Sequence, residues 1–174
     1  MAHGPAVLRR AAQTAAVAIR RGAARLLPER VPVSFVGAGS VAELGAASGG
    51  QGRTRVLGVT DRDLVELGIV ATVTDALRAA GVDAVVYDAI EPDPTFAQVE
   101  GGHLHATAWG CDAVLAVGGG SPIDAAKMIA AMATNGGDLG RLEGKLKVRR
   151  ATAPLFAVPT TAGTGSEVTI AAVV

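Results

Sequence analysis

Cysteine occurs once in the 174 residues, at Cys111, which excludes an intramolecular disulfide and a cysteine-rich metal knot. Aromatic residues are also scarce, at 3%, so Ala, Val, Leu and Ile must supply the core. Hydrophobic residues nevertheless make up 49% of the chain against 18% charged. That mixture allows a sizeable core, and it suits helices packed on a parallel sheet better than an aromatic-rich β-sandwich. Net charge is absent too: 16 Lys and Arg balance 16 Asp and Glu, which argues against a broad nucleic-acid-binding surface. No apolar run approaches the roughly 20 residues of a membrane span.

Acids are nearly missing from the first thirty residues, which hold Arg9, Arg10, Arg20, Arg21, Arg25 and Arg30 but only Glu29. An Arg-rich, acid-poor start is the composition of an organelle transit peptide. Serine enrichment is lacking, however, so residues 1–30 read as an amphipathic or frayed extension on a cytoplasmic protein. The arginines also interrupt the apolar stretch that a secretory signal needs.

What is present becomes regular from Arg53 onward. Arg55 to Thr60 reads as a buried strand, and Asp63 to Ala80 as a helix with Leu64, Leu67, Val70, Val73 and Leu77 at helical spacing. Gly81 stops that helix. Ala84 to Tyr87 is a second strand, EPDPT (Glu91 to Thr95) is turn chemistry, and a helix follows to about Trp109. Asp112 to Val117 is a third strand, Pro122 to Ala133 a helix and Pro154 to Val158 a fourth strand. Strands and helices alternating in this way imply βαβ units and an open parallel sheet with flanking helices, a Rossmann-like α/β fold. The third strand has no polar alternation, as expected of a strand covered on both faces. Upstream, VPVSFVGAG (Val31 to Gly39) reads as a weaker strand and AASGGQG (Ala46 to Gly52) as a loop.

Gly118, Gly119 and Gly120 sit where the third strand meets its helix. Ligands of open α/β sheets bind at that edge. Ser121 reads as the N-cap, Pro122 as the first helical residue and Asp124 as a capping-box acid. A helix N-terminus with bare backbone before it can receive a diphosphate; the competing reading is a tight turn with no ligand. A rival fingerprint, GAGSVA (Gly37 to Ala42), satisfies G-x-G-x-x-A, with Asp61 about 20 residues on. Either way Asp61 stands at a strand tip. There it can accept hydrogen bonds from both ribose hydroxyls of an adenosine and repel a 2′-phosphate, which favours NAD over NADP. Its competing reading is a helix N-cap. After the fourth strand, Thr160, Thr161, Thr164 and Ser166 cluster beside Gly163 and Gly165, a loop suited to wrapping a phosphate or a nicotinamide. His103 and His105 lie two apart in a helix, so they diverge and cannot share a metal. KLKVRR (Lys145 to Arg150) reads as a solvated loop, and Cys111 as a buried thiol beside a strand.

GGGSPIDAAK followed by AVPTTAGTGSEVT closely resembles the iron-containing (group III) alcohol dehydrogenases, and VTD (Val59 to Asp61), EPDPT and GAGSV fall in the same order. The resemblance covers about Val31 to Val174. It implies an N-terminal NAD(P)-binding α/β domain of the dehydroquinate synthase-like kind over residues 31–174. An all-helical C-terminal domain would follow, holding a divalent metal, usually iron, that polarises the oxygen of an alcohol or aldehyde substrate. By the resemblance Asp61 faces the ribose, and Gly119, Gly120 and Ser121 bind the diphosphate. Thr160 and Thr161, with Thr164 beside them, make further cofactor contacts, and Asp93 lies on the cofactor side. Lys127 belongs to the motif without an evident role. The family's metal ligands, one aspartate and three histidines, match nothing here, so the expectation is a cofactor-binding front half with no metal or catalytic residue of its own. An apolar face left bare by the missing half would favour homo-oligomers. Two alternatives are a non-catalytic nucleotide-binding module and a related metal-dependent polyol dehydrogenase or lyase; TTAGTGSE disfavours the latter.

Overall fold

Four short apolar segments become strands: β1 (Arg55–Val59), β2 (Asp83–Tyr87), β3 (Ala113–Gly118) and β4 (Leu155–Pro159). All pair in parallel, in the order β2-β1-β3-β4. The computed structural model describes residues 32–144, 147–169 and 172–174; the arginine-rich extension lies outside the described residues, and the compact unit that carries the sheet runs from Ser34 to Val174. Its helices are α1 (Ser40–Gly50), α2 (Arg62–Glu66), α3 (Ile69–Ala79), α4 (Phe96–Ala108) and α5 (Gly120–Asn135).

The period of two along each strand sorts the core into two layers. Val56, Ala113, Leu115 and Val117 meet Val70, Val73 and Leu77 of α3 on one face, with Val41 and Leu44 of α1 behind them. Leu57, Val59, Val114 and Ala116 meet Ile123, Ala126, Ile129 and Ala130 of α5 on the other, together with Val99 of α4. Every residue of β3 is buried, as its unbroken apolar run requires.

The structure corrects four local expectations. Residues 32–36 form no strand. The segment 46–50 is helix rather than loop; Gly49 within it and Gly45 just before it are packing residues, since a Cβ on Gly45 would lie 2.6 Å from the Ala76 carbonyl oxygen and one on Gly49 2.9 Å from that of Ala80. Bare backbone there lets α1 lie against α3. The single helix expected over 63–80 is broken at Gly68, which takes a left-handed φ of 75° between α2 and α3. GAGSVA follows no strand; its Gly39 merely precedes α1 in a left-handed conformation, so the dinucleotide-fingerprint reading fails for want of the strand it needs.

Asp112 joins the starts of β1 and β3. Its carboxylate accepts from the Thr54 N–H at 2.8 Å, the Thr54 hydroxyl at 3.0 Å and the Arg55 N–H at 3.3 Å. Burial alone would raise its pKa, but these bonds and the nearby Arg53 charge outweigh it and hold the carboxyl below the ordinary value. Asp112→Ala is expected to cost about 1–2 kcal/mol, allowing for its partial exposure to solvent. Because the folded pKa is depressed, the stabilisation is complete above the unfolded value of about 3.9 and is lost as pH falls through the folded one. Urea unfolding of both forms from pH 7 to pH 2 checks this; a gap that stays constant to the acid end contradicts it.

Candidate functional site

The chain leaves β1 for β2 across one face and returns from β2 to β3 across the other, so the sheet reverses direction between β1 and β3. Open sheets hold ligands at the carboxyl ends of such a pair. A cleft of about 400 Å³ opens there, walled by Asp61, Asp63 and Leu64 after β1 and by Gly119, Gly120, Ser121 and Pro122 after β3. Ile90, Glu91 and Pro92 close one side, Thr160 and Thr161 another. A second hollow of about 350 Å³, beside Arg55, Asp83 and Trp109, holds none of the expected site residues.

Three demands meet at the glycine turn. Gly118 has φ 148°, and a Cβ on it would sit 2.6 Å from the Pro122 ring. A Cβ on Gly119 would lie 2.9 Å from the Thr161 hydroxyl. The fold itself therefore requires glycine at 118, while at 119 a side chain would have to displace the Thr161 hydroxyl. Gly120 differs: a Cβ there would find nothing closer than Ser166 Oγ at 3.5 Å and Thr164 Cγ2 at 3.7 Å, ordinary contacts. Among the described residues its bareness makes room for no other atom.

Capping differs from expectation. The N-cap of α5 is Gly119, with no side-chain cap, so Ser121 and Pro122 are the second and third helical residues. The chain enters the helix early because Gly118 makes the reversal alone. Pro122 fits, since its missing N–H falls among the first four, which have no intrahelical acceptor. The amides of Gly120 and Ser121 precede the first intrahelical donor, Ile123, which bonds to the Gly119 carbonyl at 3.2 Å. They and the positive end of a 16-residue helix are what the cleft offers an anion. Asp124 is no capping acid. Its Oδ1 accepts from Lys127 Nζ at 3.0 Å and its Oδ2 from the Val173 N–H at 3.1 Å.

Asp61 holds two positions at once. It is the N-cap of α2, accepting the Leu64 N–H on Oδ1 at 2.9 Å, and it also walls the cleft. Thr160 extends the β3–β4 ladder by donating its N–H to the Gly118 carbonyl at 3.0 Å, which sets Thr160 and Thr161 opposite the glycines. Thr164 stands just outside the lining, against Gly120. Asp93 does not join the group: it is exposed at the turn before α4 with φ 56°, while Ile90, Glu91 and Pro92 face the cleft. Sequence reasoning passed over Asp63 and Glu91; an acid two residues after Asp61 was the available signal for the first. Among the described residues no Lys or Arg lines the cleft, so from these residues an anion there would draw on backbone amides.

Elsewhere, His105 packs its ring 5.9 Å from Tyr87 and 6.3 Å from Trp109. Among the described residues no three His, Cys, Asp or Glu side chains converge on a metal position. Cys111 is half-buried rather than buried as expected; burial pushes its thiol up, Arg55 opposing and Asp112 adding. No described helix is long and apolar enough to cross a membrane.

The family model described as iron-containing alcohol dehydrogenase matches residues 32–174. Lactaldehyde reductase of Escherichia coli (strain K12) is 40% identical over 139 residues, covering 79% of this chain and 36% of that protein. NAD-dependent methanol dehydrogenase of Bacillus methanolicus is 38% identical over 143 residues, covering 82% and 38%. Among solved structures, a 1,3-propanediol oxidoreductase superposes with a TM-score of 0.76 at 38% identity, over 80% of this chain and 37% of that one. The chain thus spans little more than a third of the length of these relatives.

Proposed function

The chain belongs to the iron-containing alcohol dehydrogenase family, and from that premise we propose that the described domain is the NAD(H)-binding part of an oxidoreductase. Its substrate would be a small alcohol or aldehyde. The observation that carries the reading is one cleft, at the reversal point of the sheet, containing an uncapped helix end, a glycine with no packing reason to be glycine, two threonine hydroxyls and a strand-tip carboxylate. These fit the parts of a dinucleotide. The amides of Gly120 and Ser121 suit the diphosphate, Asp61 the adenosine ribose, and Thr160 and Thr161, with Thr164 behind them, the remaining polar edge. Bound NAD would supply the hydride acceptor; the work of this domain would be to grip and orient it. Asp93, exposed in its turn, is a cofactor contact only if the adenosine end extends past Pro92.

Iron, which the family name implies, does not fit the described residues, because no ligand cluster exists among them. We place the protein in the cytoplasm, with residues 1–30 as an extension, residues 31–174 as the cofactor domain and copies of the chain associating.

Gly120 provides the test. Alanine there should leave the melting temperature unchanged or slightly higher, since alanine is the better helical residue by about 0.5–1 kcal/mol. NAD affinity by calorimetry should fall about tenfold, or about 1.4 kcal/mol. Equal affinity in a folded Gly120→Ala variant would refute the diphosphate assignment.

A further inference from the structure

Lys127 does not line the cleft, yet it is nearly buried: its side chain and that of Asp124 are 12% and 13% exposed. The Nζ donates to Asp124 Oδ1 at 3.0 Å and to the hydroxyl of Thr169 at 3.0 Å. Asp124 in turn receives the Val173 N–H on its other oxygen at 3.1 Å. An ion pair one turn inside α5 thus grips the far end of the segment that carries Thr160, Thr161, Thr164 and Ser166.

The near end of that segment is held by the sheet, through Thr160 N–H to the Gly118 carbonyl at 3.0 Å. Between the two ends, the described hydrogen bonds are internal to the loop. Ser166 N–H reaches the Thr164 hydroxyl at 3.4 Å, and the amides of Val168 and Thr169 reach the Gly165 carbonyl at 3.1 and 3.2 Å. The loop therefore keeps its own shape, and among the described hydrogen bonds its seat on the helix end is held at these two ends. That seat brings the Thr161 hydroxyl within 2.9 Å of where a Gly119 Cβ would be, and Thr164 and Ser166 beside Gly120.

We infer that Lys127 is a positioning residue: with Asp124 it latches the hydroxyl loop over the amino end of α5, and so sets the affinity of the cleft for the cofactor without touching it. The inference rests on the reading of this cleft as the NAD site. A buried pair at this place has a geometric reason. An ammonium held by a carboxylate one turn away on the same helix has a fixed direction, and a donor of fixed direction can hold a loop hydroxyl in register.

The test uses the whole chain with Lys127→Met, Lys127→Arg and Thr169→Val, read by amide hydrogen exchange without ligand and by calorimetric titration with NAD. In Lys127→Met, exchange of the amides from Gly163 to Thr169 should rise about tenfold while those of β1 and β3 keep their rates, and the dissociation constant for NAD should rise about tenfold. Lys127→Arg, which keeps the charge, should recover most of both. Thr169→Val removes the hydroxyl that accepts from Lys127 and donates to the Ser166 carbonyl at 3.4 Å, keeps the Lys127–Asp124 pair, and should move both readouts the same way by less; it carries the test if Lys127→Met does not fold. Unchanged loop exchange in the folded variants overturns the latch. A loosened loop with unchanged NAD affinity overturns its positioning role. Absence of NAD binding by the unsubstituted chain overturns the cofactor reading and the affinity part of the inference together, and is told apart because the exchange difference persists.

Discussion

Asp124→Ala is expected to lower the unfolding free energy by about 3 kcal/mol, near the lower end of what breaking a buried ion pair costs. For a domain of this size that is a fall of roughly 6–12 °C in melting temperature. The size follows from what the substitution leaves behind. Lys127, at a side-chain exposure of 12%, would lose its carboxylate and keep the Thr169 hydroxyl, and the Val173 amide would lose its acceptor. The double variant Asp124→Ala, Lys127→Met replaces both members of the pair, and apolar replacements of buried pairs are often close to neutral. It should regain most of the lost stability. Chemical denaturation of the three proteins decides the matter; a double variant no more stable than Asp124→Ala would show that the cost lies in packing.

Asp61→Gly should change cofactor choice. The unsubstituted chain is expected to bind NAD at least about tenfold more tightly than NADP, or about 1.4 kcal/mol. The reason is charge: among the described residues Asp61 and Asp63 both wall the cleft and no Lys or Arg does. A 2′-phosphate would lose a donor to Asp61 and face two carboxylates. Arg62 lies between them in sequence but outside the lining. Glycine is the informative replacement because Asp61 also caps α2 through Leu64, and glycine at an N-cap costs only a few tenths of a kcal/mol where alanine costs more. The variant should lose most of the preference, with Asp63 retaining part of it. Calorimetric titration of both proteins with both cofactors measures the ratio. A preference for NADP in the unsubstituted chain, or an unchanged ratio in the variant, contradicts the assignment.

The sheet was legible in the chain because its strands are apolar runs too short for helices, and their observed ends fall within one or two residues of expectation. β3 was the clearest, being buried on both faces. The turn after it was legible as a ligand-facing junction, but its capping was not. Whether Gly118 or a later residue makes the reversal depends on φ angles and on the Pro122 ring, which composition does not encode. The continuation of α1 through Ala46–Gly50 was hidden for a related reason. Glycines that admit a neighbouring backbone look, in one dimension, like glycines that end a helix. Lys127 was illegible in its role because its second partner, Thr169, lies 42 residues away. Asp124 likewise meets Val173 across 49 residues. Asp61 was read as either ribose contact or N-cap, and the geometry leaves room for both, since the cap occupies one carboxylate oxygen.

The functional reading of this chain stands on NAD entering the cleft between β1 and β3. A backbone amide chemical-shift titration of the chain with NAD, assigned residue by residue, measures that entry. Saturable shifts are expected at Gly119, Gly120, Ser121, Thr160 and Thr161, with Asp61 and Asp63 moving at the ribose end. Shifts confined to the opposite edge, around Arg55, Asp83 and Trp109, or no saturable shift at millimolar NAD, would contradict it.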